Sequence, residues 1–220
     1  MKRVTLILIQ TLYINLLCFG QTNTLTDSRD GKVYKTVVIG NQTWMAKNLN
    51  VSTFRNGDQI PEAKTLSDWY YADLNKLPAW CYYNNDSGNG EIYGKLYNWY
   101  AVNDSRGLAP QGFHIPSETE WLNLISFLGS ETSAKQLKSK SGWDNRGVDS
   151  YGFNALPGGK RNAYNSFGID VNGDFWSSSE IDKIEAVNFN FNWWYDNVSS
   201  SRGTGLGFKG EGCSVRCIKD

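Results

Sequence analysis

The chain has 220 residues, and its 22 Lys and Arg against 22 Asp and Glu give a formal charge of zero. That length suits one domain, and the lack of any basic run argues against a nucleic-acid partner, whose phosphates demand clustered positive charge. Nine tryptophans and 22 glycines, without long Leu/Ala-rich stretches, describe a turn-rich chain whose core is built from a few large rings.

The first twenty residues read as a secretory signal peptide. Lys2 and Arg3 precede an apolar run from Val4 to Leu17 that is short for a membrane span. Cleavage is expected after Gly20, which makes the protein secreted or part of the cell envelope. A lipoprotein would carry its lipid on Cys18, but Leu17 stands where a small residue is wanted. No later segment has the length and apolarity of a transmembrane span. Residues 21–30 are polar and read as a flexible N-terminal segment, leaving 31–220 as the folded domain.

From Lys32, "KVYKTVVIGNQTWMAKNL" is two apolar runs joined at Gly40-Asn41, a hairpin signal. "RNGD" at 55–58 is a turn, and "SDWYYADLN" at 67–75 reads as a short helix opening on Ser67. "AWCYYNND" at 79–86 is aromatic-dense and expected half-buried. "GKLYNWYAV" at 94–102 reads as a helix, with Leu96, Trp99 and Tyr100 on one face. "GFHIPSETEW" then places Ser117 three residues before Glu120, a capping box. Trp121, Leu122, Leu124, Ile125 and Leu128 recur behind it at helical spacing, and Gly129 ends the run. A helix over 117–128 follows, and capping accounts for its acids. His114, the single histidine, has no second one to join in a metal site.

"SAKQLKSK" at 133–140 is a second short helix. "GWDNRGVDSYGFNALPGGKRN" at 142–162 has no period and reads as long ordered loops or short strands. "AVNFNFNWW" alternates, with Val187, Phe189, Phe191 and Trp193 on one face and Asn188, Asn190 and Asn192 on the other. Trp194 therefore lands on the asparagine face. "GCSVRCI" closes the chain as a last strand.

After cleavage, Cys81, Cys213 and Cys217 remain in an exported, disulfide-permissive protein. On a strand, Cys213 and Cys217 would lie roughly 13 Å apart at ~3.3 Å per residue, beyond the reach of about 7 Å that a disulfide allows. That leaves Cys81 bridged to Cys217 or to Cys213, with Cys217 preferred.

The blocks "GNQTWMAKNLN", "YGKLYNWYAV", "GFHIPSETEW", "DSYGFNALPGG", "FWSSSE" and "SVRCIKD" occur in that order. Over residues 30–220 this resembles the Fibrobacter succinogenes major paralogous domain, a family common in exported proteins of Bacteroidetes. That family is in turn similar to the formylglycine-generating enzymes. Pro116–Trp121, Gly173–Trp176 and Ser214–Cys217 stand where those have a helix start, a loop and a chain ending. The resemblance implies an α+β, C-type-lectin-like fold, with two main helices packed on a small twisted antiparallel sheet and long irregular loops. The family carries little settled biochemistry, so it speaks to fold more than to function.

Several chemistries compete. A copper-dependent oxidase of the formylglycine-generating type would have only Cys213 and Cys217 as its thiol pair. Calcium would find oxygen ligands at Asp144, Asn145 and Asp149, or at Asn172 and Asp174, though neither group has the spacing of a known loop. A serine nucleophile would come from Ser177–Ser179, with His114 as its base. The favoured reading is a non-catalytic binding module, without cofactor, that recognises a glycan or an envelope protein. Its surface, as the resemblance places it, carries Asn192, Trp194, Tyr195, Asn197 and Arg202: flat rings stack on apolar faces, and amides take hydroxyls.

Overall fold

The computed structural model describes residues 23–144, 146–162, 167 and 171–220. The expected leader, with Cys18, lies outside them, as does Asn145.

The N-terminal hairpin forms as expected. Strands β2 (Val33–Ile39) and β3 (Gln42–Met45) pair antiparallel, and Gly40 takes a φ of 62° at the turn between them. The described part of the preceding polar stretch, 23–30, is structured, where composition suggests a flexible segment. It carries β1 (Asn23–Thr26), paired with β2, and then a buried ion pair between Asp27 and Arg29 at 2.6 Å. Arg29 also donates to the carbonyls of Thr53 at 2.9 Å and Leu108 at 2.8 Å. A guanidinium with four well-placed acceptor atoms staples this segment to two distant loops.

Helix α1 (Leu66–Leu74) starts slightly before its expected position because Thr65, not Ser67, caps it, reciprocally with Asp68. Then come β4 (Trp80–Cys81) and the single turn α2 (Gly90–Tyr93). The helix expected over 94–102 is broken in two. Leu96–Tyr97 is β5, paired with β4, and only Trp99–Val102 is helical, as α3. Tertiary pairing overrides the local period: the Tyr97 amide donates to the Cys213 carbonyl at 2.9 Å, and Asn98 then caps the new turn.

Strand β6 (Phe113–His114) leads into α4 (Glu118–Leu128), which matches its sequence signals. Ser117 and Glu120 form the capping box, and Gly129 ends the helix at φ 81°. Its buried face is Trp121, Leu124, Ile125 and Leu128. Helix α5 (Ser133–Leu137) is shorter than the expected 133–140, because Lys138 turns extended and sends its side chain inward. Strands β7 (Asn172–Glu180), β8 (Ala186–Asn192), β9 (Ser199–Ser200) and β10 (Ile218–Lys219) complete the chain.

The architecture is α+β with antiparallel sheets. One sheet has the order β1-β2-β3-β10-β6, a second β7-β8-β9, and a third is the β4-β5 pair. The segment 212–219 touches all three through bridges to Tyr97, Phe175 and Trp44. Trp121 is the centre of one core cluster, stacked on Phe189 at 5.1 Å and tilted against Trp44 at 4.8 Å. Each such ring contributes about 1.5–3 kcal/mol by burial alone.

Arg216 is a second centre and is fully buried. Its guanidinium donates to Asn48 Oδ1 at 2.7 Å, to the Met45 and Phe153 carbonyls, and to the Asn154 carbonyl at 2.8 Å. It thereby fastens the loop stretch 142–162 to β3.

The expected Cys81–Cys217 disulfide does not form, nor does its Cys213 alternative. Cys81, Cys213 and Cys217 are buried free thiols. Strand β5 is the reason for Cys213: Cys81 pairs with Leu96 on one edge, and Cys213 pairs with Tyr97 on the other. Two strand spacings, about 10 Å, exceed disulfide reach. Cys217 lies in a different apolar cluster from Cys81. Among the described residues no helix is long and apolar enough to cross a membrane.

Candidate functional site

Alternation along β7 and β8 gives their sheet two unlike faces. Phe175, Val187, Phe189 and Phe191 join the Trp121 core. Asn172 and Asp174 on β7, with Asn188, Asn190 and Asn192 on β8, lie on the other face and line an open groove of about 310 Å³. Ser199 of β9, opposite Asn190, extends that face, Ser200 lines the groove's edge, and Lys160 closes one side. At the far end of the same face Trp176 turns into the core, so the polar strip has an apolar stop.

The strand register sets the polar pairs. Asn172 opposes Asn192, and Asp174 opposes Asn190. Asn192 Nδ2 donates to Asn172 Oδ1 at 2.9 Å, and Asn190 Nδ2 donates to Asp174 Oδ1 at 3.0 Å. Two buried atoms of this face stay without a hydrogen-bond partner among the described residues: the acceptor Asp174 Oδ2 and the donor Asn188 Nδ2. Buried polar groups are nearly always paired, so one unmet acceptor and one unmet donor in a groove need an explanation. Burial pushes the Asp174 carboxyl up to about 6, against the opposing pull of Lys160 and the Asn190 amide. Lys160 is itself held by both oxygens of Glu211, each at 3.0 Å.

The five residues expected to bind are not brought to one place. Asn192 is in the groove. Trp194 and Tyr195 are exposed on the turn that leaves β8, with Trp194 edge-on to Trp193 at 5.0 Å and beside the Arg146 guanidinium. Asn197 is exposed on the same turn. Arg202 belongs to another corner, ion-paired with Glu118 at the start of α4. Sequence reasoning saw the asparagine alternation but not Asn188 and Asn190 as site residues. It weighed Asp174 only as a calcium ligand, and Lys160 gave no local signal at all.

Lys138 holds the aromatic turn from beneath. Its buried ammonium donates to the Asn192 carbonyl at 2.7 Å and the Tyr195 carbonyl at 2.6 Å, and burial pulls its pKa down to about 8. Hydrogen bonds to a charged group contribute about 1.5–3 kcal/mol, so Lys138→Met is expected to speed amide exchange at 193–197 by about tenfold or more. Unchanged exchange in that stretch would show that the turn needs no such clamp.

The competing chemistries find little support. Ser178 shares a shallow hollow with His114, but both ring nitrogens are held, Nδ1 by Asp220 Oδ1 at 2.7 Å and Nε2 by Glu120 Oε1 at 2.8 Å. Burial lowers the His114 pKa, yet the two carboxylates outweigh it and the net shift is upward. Ser177 donates to the Val187 carbonyl, and Ser179 accepts the Glu118 amide. Asp149 is turned to the Asn154 amide at 2.8 Å, and Asp144 is exposed. Among the described residues no group of three or more His, Cys, Asp or Glu is placed to hold a metal.

A family model described as the Fibrobacter succinogenes major domain matches residues 37–219. No curated protein matches the chain, and no solved structure does.

Proposed function

This chain belongs to the Fibrobacter succinogenes major domain family, and on that premise we propose that it is an exported, non-catalytic binding module. The leader-like residues 1–20 support export to the cell envelope or beyond. The α+β body with its long loops fits the C-type-lectin-like arrangement that the resemblance implies. The site is the amide-lined groove of β7–β9, with Trp194 and Tyr195 at the turn beyond it.

The observation that carries this reading is the pair of unmet groups, Asp174 Oδ2 and Asn188 Nδ2. A hydroxyl both donates and accepts, so a hydroxyl-rich chain satisfies both kinds of vacancy at once. Asparagine and serine side chains along the groove offer further donors and acceptors, and exposed rings suit the apolar faces of sugars. A glycan is therefore the favoured ligand, ahead of an envelope protein.

A metal-dependent oxidase of the formylglycine-generating type, or an inactive relative, is the weaker reading. Its thiol pair would be Cys213 and Cys217, yet burial pushes Cys217 up to about 12 and Cys213 well above its ordinary value. In the metal-free protein burial thus disfavours both thiolates, so neither sulfur is an activated nucleophile by itself.

The test is a glycan array probed with wild type, Asn190→Ala and Trp194→Ala. Both variants are expected to bind about tenfold more weakly, as loss of a hydrogen bond or a stacking ring predicts; thermal melting should be unchanged in Trp194→Ala and lowered in Asn190→Ala, which strips Asp174 Oδ1 of its donor. Wild-type binding by both would remove the site. Failure of the native protein to bind any glycan would remove the ligand class.

A further inference from the structure

The Lys160–Glu211 ion pair borders two cavities. Lys160 lines the groove, whereas Glu211 lines a second hollow of about 490 Å³. Its walls are Tyr100, Ile184 and Phe208, and the last two are large apolar side chains 61% and 47% exposed. The end of α1 contributes Asp73. Its Oδ1 accepts the Tyr100 hydroxyl at 3.3 Å, and its Oδ2 accepts nothing among the described residues. The backbone at Gly210 runs close beneath Asp73, and an added Cβ would fall 2.1 Å from its carboxylate and push it aside. That close approach keeps the carboxylate against the floor of the hollow.

The charges in this hollow are layered. Glu211 is buried and Asp73 is half-buried, while Lys76 and Lys183 are exposed at the rim. Aromatic walls beside a recessed carboxylate favour an organic ammonium. Ammonium groups at the rim favour a carboxylate that faces outward. We propose that this cavity is a second binding site, distinct from the groove, for a small zwitterion with an apolar side chain: a free amino acid of the phenylalanine type. Its ammonium meets Asp73, its side chain packs on Phe208 and Ile184, and its carboxylate lies between Lys76 and Lys183.

Calorimetric titration with three probes tests this. L-Phenylalanine carries both charges, phenethylamine lacks the carboxylate, and 3-phenylpropionate lacks the ammonium. Phenylalanine is expected to bind most tightly, with each deletion weakening binding by about fivefold or more, as the loss of a charge-assisted hydrogen bond implies. Asp73→Asn, which keeps the shape of the side chain, should weaken phenylalanine and phenethylamine but not 3-phenylpropionate. Phe208→Ala, at an exposed position, should weaken all three without lowering the melting temperature. Trp194→Ala, at the turn beyond the groove and remote from the Lys160–Glu211 pair, should change none of them, so the two sites fail or stand separately. Equal binding of all three probes, or no binding of phenylalanine at millimolar concentration, would overturn the proposal.

Discussion

Asp174→Asn is expected to stabilise the protein by about 3 kcal/mol near neutral pH, because burial raises the Asp174 pKa from 3.8 to about 6 and each unit is worth about 1.4 kcal/mol. The sign follows from proton binding. Between about pH 4 and 6 the folded state holds a proton that the unfolded state has lost, so stability falls as pH rises through this window and stays low above it. Asparagine keeps the shape and still accepts from Asn190, but carries no charge to desolvate. Below pH 4 the carboxyl is neutral in both states, so the gain should vanish there. Urea unfolding of both proteins at acid and neutral pH measures it. A variant less stable than wild type near pH 7.5 would mean that the Asp174 charge is structurally needed. A gain would mark a carboxylate kept against stability, as binding sites often require.

Arg216→Met should have the opposite effect, a loss of about 4 kcal/mol or more. Four oxygens would lose their donor, those of Asn48, Met45 and Phe153 buried and that of Asn154 partly so. Each orphaned acceptor costs about 1–3 kcal/mol, offset in part by removing a cation that burial disfavours, with its pKa lowered to about 9. Lysine should recover little, since one ammonium cannot copy a planar fork that reaches four oxygens. Urea midpoints for both variants are the measurement. A methionine variant within about 1 kcal/mol of wild type would show that the 142–162 loops do not depend on this anchor.

What the sequence made legible was local. Helix α4 was readable because Ser117, Glu120 and Gly129 act on neighbours within a few positions. The Asn/Phe alternation was readable because a strand sorts its side chains by parity. Tyr97 was misread as helical because its strand partners, Trp80 and Cys213, are remote in the chain. Asp27 and Arg29 looked like solvated charge, since nothing nearby announces the carbonyls of Thr53 and Leu108. The cysteine pairing failed for the same reason: parity and spacing cannot reveal an intervening strand. Within the groove, β8 was visible and its completion by Asp174 and Lys160 was not, because register and a returning loop assemble them.

One lysine stands between two carboxylates, in contact with Glu211 and within electrostatic reach of Asp174. Its single positive charge is divided between neighbours that face different chambers. A guest hydroxyl that donates to Asp174 Oδ2 takes over part of that carboxylate's stabilisation, leaves more of the lysine's charge to Glu211 and makes the adjoining chamber less attractive to cations. The two occupants would then be antagonists, each loosening the other by an equal factor, as thermodynamic reciprocity demands.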